Sequence, residues 1–277
     1  MTKIISKEQL GEKIYRYVLD SPQIAKKAQS GQFLILRTDE KGERFPLTIA
    51  DYDREAGTVT IIFQAIGYST GKLSALQAGE EILDVVGPLG KPSDFDPGIK
   101  KAAVIGGGLG CAIAYPQAKH LHQMGVSVDM IAGFRSKDII ILEKEMQAVS
   151  DRLLIATDDG SYGTHGFVTD VLKREIESGV KYDIVVAIGP LVMMKFVSRL
   201  TKEYGIKTIV SMNPIMIDGT GMCGGCRLTL NGETKFACVD GPDFDGHAVD
   251  FDATMRRLAM YDDLKREKNC RLEGMSK

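Results

Sequence analysis

The sequence predicts three parts: a small antiparallel β-barrel over residues 1–97, an α/β domain with a parallel sheet over 98–212, and a compact cysteine-bearing module over 213–277. Three observations predict it. Short β-branched and aromatic runs alternate with turn residues up to about Val86. Beyond the Pro- and Gly-rich connector GPLGKPSDFDPG, from Gly87 to Gly98, strand-like and helix-like runs take turns. Three of the five cysteines then crowd into the stretch from Cys223 to Cys238.

At 277 residues, with 44% apolar and 26% charged side chains, the composition is that of an ordinary globular protein with room for at least two domains. Thirty-five Lys and Arg against 37 Asp and Glu leave a formal charge of −2, which excludes an electrostatic grip on nucleic acid or anionic lipid. The first twenty residues carry scattered charges without an apolar core, so no ordinary signal peptide is expected. The uncharged run from Ala102 to Ala118 is too short for a membrane span and is broken by glycines and a proline. A cytoplasmic protein is expected.

In the first part the strands are read as KIYRYVLD, QFLILRT, PLTIADYD, TVTIIFQAI and EEILDVV, with Gly67–Leu73 breaking the rhythm and opening a short helix, STGKLSAL. The second part reads as strand AAVIGGGLG, helix AIAYPQAKHLHQMG, strand SVDMIAGFR, helix DIIILEKEMQAV, strand RLLIATDDG, helix THGFVTDVLKREIES, strand YDIVVAIGP, helix LVMMKFVSRLTKEYG and strand KTIVSMN. The third holds the loop DGTGMCGGC, a hairpin RLTLNGETKFAC and a charged amphipathic helix.

Gly106, Gly107, Gly108 and Gly110 follow a buried strand and open a helix, the setting in which such a run lets backbone N–H groups approach a pyrophosphate. Cys111 stands where the last fingerprint glycine would be, so a tight structural turn competes with nucleotide binding. Ligands of open parallel sheets lie outside the carboxyl ends of the strands, which nominates Asp158, Gly189, Pro190 and Met193. Helix packing is the rival role for Met193 and Met194. Arg135 meets an adenosine phosphate or ribose, or is a solvated charge; Asp129 falls about where an acidic ribose partner is expected, which leaves NAD against NADP open. In the barrel, Arg44, Pro46, Leu47 and Thr48, with Ser69 and Thr70, offer hydroxyls and backbone to a flavin edge and pyrophosphate, though they also read as unexceptional strand and turn residues.

Cys223 and Cys226, with Cys238 further on, match the later part of a plant-type [2Fe–2S] pattern, and Asp218 occupies the first-cysteine position. A carboxylate oxygen is a harder but competent iron ligand. Asp-Gly is also a favoured turn pair. Zinc is the competing occupant, with Asp218 or His247 completing a tetrahedral set, but its sites usually ask for two short paired motifs and Cys238 has no near partner.

A barrel, then GGGLG and a late GPLVMM, then a cluster loop is an order that resembles the ferredoxin-NADP reductase superfamily, and more narrowly the electron-transfer subunits of dihydroorotate dehydrogenase B. ERFPLTIADYD, GGGLGCAIAYP and DGTGMCGGCRLTLNGETKFACVDGPDFDGHAVDFD resemble the small subunits of NADH-dependent reduced ferredoxin:NADP oxidoreductases, over nearly the whole chain.

The resemblance implies an oxidoreductase subunit with a FAD-binding barrel, an NAD(H)-binding α/β domain and a [2Fe–2S] module ligated by Asp218, Cys223, Cys226 and Cys238. It implies Thr48 near the isoalloxazine and Ser69 and Thr70 near the pyrophosphate. The family's flavin motif has an arginine three residues before the Ser or Thr; Phe45 holds that position here and Arg44 lies one residue early. No side-chain acid or base is needed for hydride transfer. The implied partner is a larger flavin and iron–sulfur subunit, in a heterodimer or higher assembly, through which ferredoxin is served indirectly by electron bifurcation. The stretch Ala248 to Lys268 either docks that partner or caps its own domain. The competing readings are an electron-transfer subunit of a dihydroorotate dehydrogenase and a zinc-stabilised nucleotide-binding module.

Overall fold

The computed structural model describes residues 1–260. Strands β1 (Thr2–Gly11), β2 (Ile14–Asp20), β3 (Phe33–Arg37), β4 (Phe45–Asp53), β5 (Thr58–Gln64), β6 (Glu81–Ile82) and β7 (Asp84–Leu89) form one antiparallel sheet in the order β6-β1-β2-β5-β4-β3-β7. Its two edge strands, β6 and β7, are separated in the chain by Leu83 alone, so the sheet curls into a nearly closed barrel. Helix α1 (Pro22–Ala25) and helix α2 (Tyr68–Ala75) fill the gaps between strands.

The alternation of side chains explains how the barrel meets its neighbour. Tyr17, Leu19, Leu34, Leu36, Ile49, Val59, Ile61 and Phe63 point inward. Phe33 and Ile35 on the opposite face of β3 join the core under one side of the second sheet, while Ile14, Ala50 and Ile62 join the core under the other. Strand β1 departs from expectation: TKIISKEQLG lies outside the strands expected from the sequence, yet it pairs with β2 through two bulges.

The second sheet comprises β8 (Lys101–Gly107), β9 (Ser127–Phe134), β10 (Arg152–Thr157), β11 (Thr164–His165), β12 (Ile184–Ile188), β13 (Lys207–Ser211) and a late strand, β16 (Asp243–Asp245). The order is β11-β10-β9-β8-β12-β13-β16, parallel except that β16 runs antiparallel to β13. Helices α3 (Cys111–Gln123) and α4 (Glu143–Ala148) cover one face; α5 (Val168–Glu177) and α6 (Leu191–Glu203) cover the other. The predicted helix DIIILEKEMQAV is shorter than expected. Ile141 and Leu142 are buried in a non-helical approach, and Leu142, at φ 58°, sits just before α4.

Between β13 and β16 the chain makes the cysteine loop, the hairpin β14 (Arg227–Leu230) with β15 (Glu233–Phe236), and the single turn α7 (Ala237–Asp240). Met216, Cys226, Leu228, Ala237, Cys238 and Phe244 share a core with Phe33, Ile35 and the second sheet. Helix α8 (Phe251–Ala259), capped by the Asp250 carboxylate on Ala253 N at 2.8 Å, lies on α6, where Lys195 pairs with Asp252. Residues 261–268 of the stretch Ala248 to Lys268 lie outside the described residues. No helix among the described residues is long and apolar enough to cross a membrane.

Candidate functional site

The chain runs outward from β8 through β9, β10 and β11, then returns to the other side of β8 with β12 and β13. The reversal between β8 and β12 is a topological switch point, and the crevice outside their carboxyl ends is where such sheets take a nucleotide. Both glycine-bearing segments end there. A Cβ on Gly107 would stand 2.5 Å from Met193 Sδ, and one on Gly189 would stand 2.9 Å from Met193 Cε and 3.2 Å from Gly107. Gly107, Gly189, Pro190 and Met193 are thus in mutual contact, although β8 and α6 are far apart in sequence. Met194 is the fully buried core methionine; Met193 is the one on the glycine turn.

The glycines divide by role. Gly106 is pressed against Cys111 and Gly110 against the Ile188 carbonyl, both close-packing positions. Gly108, at φ +54°, faces open space and presents bare backbone at the crevice, in a 3₁₀ turn that leads into α3. Buried Cys111 has its thiol pushed up to about 12 by burial, which makes it an inert packing residue.

Arg135 and Asp158 both sit at strand ends on this edge, exposed, and the Asp158 N–H donates to the Phe134 carbonyl at 3.0 Å. Arg135 has no ion-pair partner among the described residues. Asp129 is elsewhere, and this corrects the expectation of a ribose contact. It lies near the amino end of β9, paired across to Ala103, with no exposed surface. There it accepts from Lys101 Nζ at 2.6 Å, Arg152 Nε at 3.0 Å and Tyr182 Oη at 2.8 Å. Burial opposes its charge, but these three donors outweigh it and hold the carboxyl below the usual carboxylate range.

On the barrel, Phe45, Leu47 and Ile49 face inward while Pro46, Thr48 and Ala50 take the other face, towards the α/β domain. The half-buried Thr48 hydroxyl has no hydrogen-bond partner among the described residues. Thr70 Oγ1 accepts from Gly67 N at 3.1 Å and closes the start of α2, and Ser69 Oγ donates to Glu43 at 3.0 Å. The unpaired N–H groups of that first turn, with open space beside Gly71, suit a pyrophosphate. Arg44 does not turn to this turn: its Nε donates to the Ile217 carbonyl at 3.1 Å, on the cysteine loop.

The cysteine loop is shaped by left-handed glycines at 219, 221 and 224, with φ of 78°, 84° and 65°. The Asp218 carboxylate turns back into the loop, accepting from Thr220 N at 3.0 Å and Cys223 N at 2.9 Å, and these backbone bonds hold it below the ordinary carboxylate range. Cys226 and Cys238 are buried side by side; Cys238 N donates to Cys226 Sγ at 3.4 Å, and Gly225 N donates to Cys223 Sγ at 3.4 Å. Burial first, then the neighbouring Cys226, push the Cys238 thiol up to about 12, so a metal entering here displaces protons.

This donor set fits a two-iron centre better than a zinc ion. Among the described residues no three His, Cys, Asp or Glu side chains gather around one point. What is present is two pairs, Asp218 with Cys223 and Cys226 with Cys238, and a [2Fe–2S] centre takes two protein ligands per iron. The N–H···S bonds are the outer-shell contacts such centres use. His247, the alternative zinc ligand, has its ring engaged with Thr201 Oγ1 at 3.1 Å.

Residues 213–250 match the family model described as the iron-sulfur cluster binding domain of dihydroorotate dehydrogenase B. The chain is 44% identical to a dihydroorotate dehydrogenase B (NAD(+)) electron transfer subunit homolog of Thermotoga maritima, over 94% of this chain and 92% of that one. It is 36% identical to the corresponding electron transfer subunit of Listeria innocua, over 89% and 97%. The chain belongs to this family of electron-transfer subunits. A solved structure of the NADH-dependent reduced ferredoxin-NADP oxidoreductase, reported for its insight into flavin-based electron bifurcation, contains a chain 42% identical to it, with a TM-score of 0.92 and 98% coverage of both. As a member of the electron-transfer subunit family, the protein is an oxidoreductase component with a ferredoxin-NADP reductase-like barrel and α/β domain, made to work with a larger subunit. Its segment with Asp218 and the three cysteines is the iron–sulfur cluster binding domain.

Sequence reasoning missed the contacts of Arg44, Arg227 and Arg257 with the cluster loop. The displacement of Arg44 from the flavin-motif position was the one available signal.

Proposed function

We propose that this chain is the NAD(H)-side subunit of an electron-bifurcating NADH-dependent ferredoxin:NADP oxidoreductase, holding FAD, NAD(H) and one [2Fe–2S] cluster and serving ferredoxin through its larger partner. The observation that carries this reading is the full-length match at TM-score 0.92 to the bifurcating oxidoreductase structure. Bound FAD would supply hydride chemistry that can pass electrons on singly, and the cluster would supply one-electron chemistry.

The chain's own residues position these groups. Gly107 and Gly108 bring backbone to the pyridine nucleotide, with Gly189, Pro190 and Met193 forming the adjacent wall and Arg135 and Asp158 at its adenosine side. Thr48 offers its free hydroxyl to the flavin edge, Pro46 and Leu47 fix that strand, and the first turn of α2 at Ser69 and Thr70 offers N–H groups to the flavin pyrophosphate. Asp218, Cys223, Cys226 and Cys238 would hold the cluster.

The test is low-temperature EPR and absorption of anaerobically purified protein, wild type beside Asp218→Ala and Asp218→Cys. Bound flavin with a rhombic reduced [2Fe–2S] signal whose g values move in both variants is expected; flavin with zinc and no iron overturns the cluster assignment. A second reading, electron transfer for dihydroorotate oxidation, is favoured by the 36% match to the Listeria subunit. Co-purification of the native complex and assay with dihydroorotate against NADPH separates the two.

A further inference from the structure

Three guanidinium groups converge on the carbonyl oxygens of the cluster loop. Arg44 Nε donates to Ile217 O at 3.1 Å and its Nη2 to Asp218 O at 3.5 Å. Arg227 Nη1 donates to Gly224 O at 3.1 Å, and Arg257 Nη2 donates to Gly225 O at 3.4 Å. They come from the approach to β4, from β14 and from the last turn of α8. None has a carboxylate partner among the described residues, whereas Arg16, Arg37 and Arg152 are each paired.

Their targets bracket the ligand set. Arg44 grips the Asp218 end, and Gly219 beside it is seated on the barrel, where an added Cβ would meet Leu89 Cδ1 at 2.7 Å and Ile35 Cγ1 at 3.1 Å. Arg227 and Arg257 grip the two residues between Cys223 and Cys226. The loop is therefore clamped from the flavin barrel on one side and from the C-terminal helix on the other.

A carboxylate and three thiolates around two irons give a centre with net negative charge, and reduction adds one more. Net charge, hydrogen bonding and exposure set the potential of such centres. Cations nearby favour the more negative, reduced form. On the cluster reading given above, we infer that Arg44, Arg227 and Arg257 form a cationic collar of positioning residues that fixes the loop and raises the cluster's reduction potential. Arg44 serves the cluster and not the flavin phosphate.

The test uses the full chain with its cofactors, as Arg44→Gln, Arg227→Gln and Arg257→Gln, each beside its Lys counterpart. EPR-monitored redox titration and flavin content are the readouts. Each Gln variant is expected to move the midpoint to more negative values, each Lys variant to recover most of the shift, and added salt to shrink the difference because the side chains are accessible. Arg44→Gln is expected to keep its full complement of FAD.

Unchanged midpoints in all three Gln variants overturn the collar, as does an Arg44→Gln protein that loses FAD while its cluster signal stays as in wild type. A Gln variant without a cluster is judged by its Lys partner: restored iron supports the collar, and iron missing from both overturns it. A wild type lacking the reduced [2Fe–2S] signal removes the cluster reading itself, a result distinct from unchanged midpoints.

Discussion

Gly110 lies so close to the Ile188 carbonyl that a Cβ built on it would stand 2.4 Å from that oxygen. The contact locks the start of α3 to the end of β12, across the switch point. Backbone cannot step aside as a side chain can, so Gly110→Ala is expected to cost at least about 3 kcal/mol, the upper end of ordinary overpacking. At Gly107 the nearest obstacle is the flexible Met193 thioether, with Pro190 Cδ at 3.1 Å, and Gly107→Ala is expected to cost about 1 kcal/mol, the lower end of overpacking, while weakening NADH binding. Urea unfolding and NADH titration of both variants read the difference.

Asp129 supplies a pH dependence. Its folded carboxyl is held below its unfolded value, so its contribution is complete above the unfolded pKa of about 3.9 and is lost as pH falls through the lower folded value. Asp129→Asn leaves Lys101 and Arg152 facing a neutral group. The loss expected at neutral pH is about 3 kcal/mol, the lower end for breaking a buried ion pair, because both cations are partly exposed and rehydrate. Urea midpoints from pH 7 downward should show a flatter acid limb in the variant, with NADH affinity unchanged because the residue is at the far end of the sheet.

Asp243 shows the opposite sign. Its carboxyl accepts from Ser93 Oγ at 2.6 Å and Gln117 Nε2 at 3.0 Å, yet its Oδ1 and the Gln117 Oε1 are buried with no hydrogen-bond partner among the described residues. Burial raises its pKa above the ordinary value, so its stability contribution is present below about pH 3.9 and declines as pH rises through the folded value. Asp243→Asn removes the buried charge and brings N–H donors into the network. A gain of about 1 kcal/mol at pH 8, vanishing in acid, is expected in paired urea titrations.

Gly219→Ala tests how the cluster loop sits on the barrel. The position has φ +78° and Leu89 and Ile35 in the way of a Cβ. The substitution is expected to lift the Asp218 end of the loop and to lower iron and sulfide per flavin, measured colorimetrically on freshly purified protein, while flavin content holds.

The elements legible in the sequence include the barrel strands β2 and β5, in which buried and half-exposed residues interleave, and strands whose burial is uniform. β8, β9 and β12 are apolar runs enclosed on both faces, and each is followed by a turn and helix. β1 escaped because Ile4 is its one buried residue and bulges interrupt its pairing, so no period of two survives. The run Ile139–Leu142 resembles a helix start because it is apolar and precedes EKEMQ, but Ile139 closes an exposed 3₁₀ turn and Ile141 and Leu142 are buried in a non-helical stretch against the core beneath α3. β16 is three residues, DFD, with Phe244 its one buried apolar side chain, and its place beside β13 is a tertiary fact. Among the site residues, the meeting of Gly107 with Met193 followed from the strand-end rule. The grip of Arg44 on a loop 173 residues away followed from nothing local.

Ser211 and Asp243 are partners across neighbouring strands, so the whole excursion from 212 to 242 leaves and re-enters the sheet at one rung. It is a cassette with both ends fixed about 4.8 Å apart, a gap that a tight hairpin turn also bridges. Trimming the chain from its C-terminus cannot remove the iron site without stripping the sheet's edge strand, whereas splicing out the excursion leaves the rung in place. The iron–sulfur cluster binding domain thereby has the topology of an insertion into the second sheet.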